Sequence, residues 1–351
     1  MKNRSALIYK NLAIWAPALA LLLVAASSEF PAPVVGTETL PVFIHLITLG
    51  FLVPLFMLFV HRALGNLLVW PKMTLPTALV FVTGFGLFMM GFRYNHIWLL
   101  YIGGHYLTPM ALYVFCAQAA WTLFKNRQNP TLTPLAWPLG GLFLTLNIGG
   151  MLVADLFYGG KYAFFIPHFI LTHALSATFL FVLPWILVVQ GQTAKLGWGV
   201  LGGLLLLSSF FYGHFWENPQ AWVLTTILGA GLFFWVGRSF DWADERQKPF
   251  KLGWYLGALG LVLSGLSRGV DLNQGAGLMA FGLFVLWGLI MPSLIGQLAP
   301  KQTGRLVAGH LGLLLGWGFA LALTWALPPW VPALAYLSYW VWALLPLSKE
   351  I

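Results

Sequence analysis

The chain has 351 residues, 60% of them hydrophobic and only 8% charged, with a formal net charge of +9. Soluble proteins carry about 25% charged residues, so this composition excludes a water-soluble globular domain and reads as a multi-pass membrane protein. The basic balance does not point to nucleic acid, because the cations follow a topological pattern rather than forming a patch.

A membrane span needs about 20 apolar residues. Taken in chain order, the apolar runs predict twelve spans, at 12–29, 43–61, 76–92, 98–123, 135–155, 164–190, 197–215, 220–238, 252–267, 275–297, 306–327 and 330–347. The expected fold class is therefore all-α: a polytopic helical bundle of about 12 transmembrane helices, forming a single domain over 1–351. Of the 18 Lys and Arg, all but Arg93, Lys161 and Arg268 fall on one side of this arrangement. The positive-inside rule makes that side cytoplasmic and places both termini there. The expected location is a bacterial inner membrane, with membrane lipid as the surrounding partner.

The start of the chain is basic, but the apolar run from Leu12 is long enough to span, so no cleavable signal peptide is read there. The first outer loop, 30–40, is Pro-rich and extended. The longest inner loop, 238–251, mixes charges of both signs and reads as a solvated connector. Cys116 is the single cysteine and lies mid-span, which excludes disulfides and thiolate clusters. Glycine pairs such as Gly103-Gly104, Gly149-Gly150 and Gly202-Gly203 allow helices to approach closely, or leave room for a flat ligand.

Six of the eight histidines fall at the outer ends of these spans: His45, His96, His105, His168, His173 and His214. Ionisable residues at membrane depth are costly and usually functional, and imidazole is a common metal and haem ligand. His45 opens span two. His96 and His105 flank the start of span four, and nine residues of ideal helix turn roughly 900°, which sets them on opposite faces. Of the two, His105 beside Gly103-Gly104 is the ligand candidate and His96 reads as an exposed loop residue. His168 and His173 are separated by about 140° and roughly 7.5 Å of rise, so they suit adjacent sites better than one shared ion. His214 closes span seven. His61, beside Arg62, and His310, near Arg305, read as residues of the inner interface.

Arg93 and Arg268 run against the topological charge bias and are candidates to meet haem propionates, or the acids Asp155, Glu217 and Asp271. No Asp or Glu falls in the inner half of a predicted span, which argues against a proton pump, since pumps use buried carboxylates as relays.

Twelve spans, a cytoplasmic N-terminus and His45 at the outer end of span two resemble the haem-copper oxidase subunit I superfamily, which includes the nitric oxide reductase large subunits. The resemblance implies that His45 ligates a haem, that His168 or His173 is a copper or iron ligand, and that His214 stands where the family has a histidine pair. The span-ten region has no histidine and offers only Asn273 and Gln274 near its start, unlike the family pattern. The outer histidines also look like those of the NnrS family of haem- and copper-containing membrane proteins, and of accessory proteins found beside nitric oxide reductases. That likeness implies haem at His45 with His105 as second ligand, and a further metal locus at His168, His173 and His214. The implied activity is an oxidoreductase-type role in nitric oxide metabolism or respiration, as a non-pumping accessory subunit alongside respiratory or nitric oxide reductase subunits. A haem or copper transporter, or a structural subunit of a respiratory complex, remains an alternative.

Overall fold

Three prolines, Pro54, Pro109 and Pro184, each follow a widened turn of helix in the structure, a computed structural model. Proline lacks an N–H and its ring collides with the carbonyl four residues back, here those of Gly50, His105 and Leu180. The chain relieves each collision with a π-helical turn: Thr48–Leu52, Ile102–Leu107 and Ala177–Val182. Each turn therefore contains the carbonyl that its proline cannot serve.

The structure describes residues 48–158, 173–215 and 219–238 continuously, with 7–9, 11–12, 15, 45 and scattered positions between 241 and 262. The described residues are helical, with no strand among them. In chain order they form α1 (Val53–Leu64), α2 (Thr74–Arg93), α3 (Ile97–Tyr101), α4 (Thr108–Lys125), α5 (Ala136–Phe157), α6 (Leu183–Val189), α7 (Leu196–Phe215) and α8 (Pro219–Gly237). Four stretches are long and apolar enough to cross a membrane: Thr48–Leu67, Pro71–Arg93, Ile97–Lys125 and Thr133–Asp155. These match the second to fifth predicted spans. His173–Val189 and Ile227–Gly237 are shorter apolar helices. The first predicted span and the last four fall largely or wholly outside the described residues.

The chain divides into two compact units, one of Met1–Ala13 and His45–Leu207, the other of Ile14–Ile44 and Ser208–Ile351. The core of the first unit is aromatic. Phe56 of α1 packs edge-on against Phe181 (4.9 Å) and Trp185 (5.1 Å), and all three are fully buried. Glycines set the helix spacing where backbones meet. Gly84 and Gly91 of α2 face Leu107 and Leu100, and Gly103 faces the backbone of Phe88, so α2 lies directly against the stretch from α3 to α4. Gly141 of α5 faces the carbonyl of Leu180, the group left over by Pro184.

His61 is buried at 7% exposure within α1, its ring stacked near Tyr9 (6.0 Å) and tilted against Phe115 (5.6 Å). One residue on a helix turns about 100°, and the next residue, Arg62, is exposed.

Candidate functional site

Three of the histidines singled out from sequence stand in or next to the proline-induced π turns. His45 precedes Thr48–Leu52 by three residues, His105 lies inside Ile102–Leu107, and His173 precedes Ala177–Val182 by four. Such turns are rare and concentrate at functional sites, because the wider turn re-aims side chains and frees backbone groups.

α5 collects two of these rings without contributing a histidine of its own. The Nδ1–H of His105 donates to the carbonyl of Gly150 (3.0 Å), and that of His173 donates to the carbonyl of Thr145 (3.0 Å). A helix carbonyl has two lone pairs and can accept a second bond beside the one within its helix. With Nδ1 carrying the proton, the neutral ring presents its lone pair at Nε2. Gly149 makes space for one ring: a Cβ there would lie 2.8 Å from Cε1 of His173, whereas one at Gly150 would meet His105 Nδ1 at an ordinary contact distance of 3.8 Å. Gly149 thus admits the His173 imidazole to the face of α5, a more specific use than helix packing.

His45 is half-buried and meets α2 through aromatic faces, edge-on to Phe88 (5.1 Å) and near-parallel to Phe92 (5.4 Å). Phe88 packs with Leu100, Tyr101 and Val153 in one apolar cluster. Tyr101 continues from that cluster to His105, stacking on it at 4.9 Å and 9°. His105 also meets Tyr106 edge-on at 5.0 Å, and the hydroxyls of Tyr101 and Tyr106 lie 3.1 Å apart. Both rings therefore sit against aromatic side chains, Phe88 and Phe92 at His45, and Tyr101 and Tyr106 at His105.

The other candidates are placed as follows. Arg93 is exposed at the end of α2. His96 is exposed too, and caps α3 by accepting a long hydrogen bond from the N–H of Leu99 (3.5 Å). His214 falls in the last turn of α7. His168 and Arg268 lie outside the described residues. Among the described residues, no three His, Cys, Asp or Glu side chains gather as a single metal-binding group.

Sequence reasoning by residue type missed Thr145, Phe88, Phe92 and Tyr101, which position the rings. A usable signal was present in the prolines, each four to eleven residues beyond an outer histidine: His45 to Pro54, His105 to Pro109 and His173 to Pro184. No protein-family model, curated protein or solved structure matches this chain.

Proposed function

We propose that the chain is a haem- or metal-binding membrane protein that acts in respiration or nitric oxide metabolism as a non-pumping, oxidase-like subunit. His45, His105 and His173 are its ligand-bearing side chains. The observation that carries this reading is the pair of Nδ1–H bonds from His105 and His173 to backbone carbonyls of α5. Histidines that ligate metals almost always donate their other ring N–H in this way, which fixes the tautomer and raises the basicity of the ligating nitrogen. The donor set fits haem iron or copper, both of which accept neutral imidazole. A bound haem would supply one-electron and diatomic-ligand chemistry.

The chain's own residues do the positioning. An α5 carbonyl holds each of two rings, Phe88 and Phe92 pack against His45, and Tyr101 stacks on His105. The respiratory or nitric oxide setting rests on the resemblance at His45, His168, His173 and His214.

The test is the visible spectrum and the iron and copper content of protein purified from membranes. A Soret band, or copper or iron near one equivalent per chain, is expected. Neither band nor metal would overturn the reading. Metal that is substoichiometric and exchanges freely with a chelator would favour the transport alternative instead.

A further inference from the structure

Tyr9, near the start of the chain, and His61 of α1 belong to the same compact unit. Their rings lie near-parallel, with centroids 6.0 Å and planes 19° apart. Tyr9 is fully buried and His61 nearly so. Phe81 of α2 stands edge-on to Tyr9 at 6.4 Å, and Phe115 of α4 is tilted against His61 at 5.6 Å. Aromatic side chains from two further helices therefore flank the pair.

Each polar atom of the two rings has a definite role. His61 Nδ1 lies 2.8 Å from the carbonyl of Met57. A carbonyl only accepts, so Nδ1 carries the proton, and on a neutral ring Nε2 is left as an acceptor. That Nε2 is buried with no hydrogen-bond partner among the described residues, and the same holds for the Tyr9 hydroxyl. Buried polar groups are nearly always paired, with protein or with ordered water, because an unmade bond leaves their desolvation uncompensated. Here an acceptor and a hydroxyl on neighbouring rings share that need.

We propose that Tyr9 and His61 hold one ordered water molecule between them. Water both donates and accepts, so it can donate to Nε2 and accept from the phenol O–H. A buried water needs about two to four polar partners, and these two rings supply the minimum. A metal ion suits the pair less well. A phenol is ordinarily protonated near neutral pH, and among the described residues no three His, Cys, Asp or Glu gather as a ligand group. The water joins the start of the chain to α1 by a polar link within an aromatic contact.

A double-mutant cycle on the full-length protein, read by thermal unfolding in detergent, tests this. Tyr9→Phe removes only the hydroxyl and should lower the midpoint by on the order of 2 °C, since a made hydrogen bond is lost. His61→Asn removes Nε2 while its side-chain amide can still donate to Met57. In that background Tyr9→Phe should have little effect, because the two sites are coupled. A Tyr9→Phe variant at least as stable as the parent, or an equal loss in both backgrounds, overturns the proposal. A density map of the parent protein, sharp enough to show ordered water, decides the matter even if a variant fails to fold. It should show a peak within hydrogen-bond distance of both the Tyr9 hydroxyl and His61 Nε2. No peak there, or the two atoms bonded directly to each other, overturns the proposal.

Discussion

Gly141→Ala is expected to prevent the protein from folding into a stable form, while Gly140→Ala, one residue away, should be neutral or mildly stabilising. A Cβ at position 141 would overlap the carbonyl carbon and oxygen of Leu180 and approach the backbone nitrogen of Phe181 to 2.7 Å. All three are backbone atoms of a π turn fixed by Pro184, so no flexible side chain can move aside. Overpacking typically costs about 1–3 kcal/mol when side chains can yield; here the cost lies at or above the top of that range. At Gly140 an added Cβ meets nothing within 4 Å, and alanine is the better helix former by about 1 kcal/mol. Thermal unfolding in detergent, followed by intrinsic fluorescence, should therefore shift in opposite directions for the two variants. Equal behaviour would mean that α5 and the Ala177–Val182 turn do not approach as described.

His105→Ala and His173→Ala should produce folded protein that has lost its bound haem or metal. Removing either ring leaves an α5 carbonyl that is still paired within its own helix, so the stability cost is modest compared with Gly141→Ala. On the proposed function, however, the variant has lost the ligating Nε2. Loss of an outer-shell partner alone weakens a metal site by about 10–100-fold, and loss of the ligand itself should weaken it at least as much. Metal per chain, measured after size-exclusion chromatography, should fall sharply in both variants, and added imidazole should restore part of it. His96→Ala, which removes only an exposed cap, should retain the parent content. If His105 and His173 are merely buried polar residues satisfied by carbonyls, all three variants will match the parent.

The apolar helices were legible in sequence because a span is a long, continuous signal. The stretches Thr48–Leu67, Pro71–Arg93, Ile97–Lys125 and Thr133–Asp155 lie within a few residues of the predicted ones. The candidate site was only half legible. His45, His105 and His173 stand out as ionisable residues in apolar runs, but what orients two of them is backbone. Thr145 and Gly150 act through their carbonyls, and a carbonyl is present at every position, so residue type gives no hint of it. His96 lies exposed at the turn between α2 and α3, as its sequence position implied, and Arg93 is exposed beside it. The three prolines were visible throughout, but their effect on the turns before them needs the backbone to be seen.

X-ray absorption at the iron and copper edges of the purified, full-length protein tests the central claim most directly, because imidazole ligands leave a characteristic multiple-scattering pattern. The claim predicts such a pattern from at least one imidazole nitrogen, with a metal–nitrogen distance of about 2.0 Å, and its loss in the His105→Ala and His173→Ala variants. An absorption edge no higher than that of the buffer, or a bound metal with no imidazole among its ligands, would contradict it.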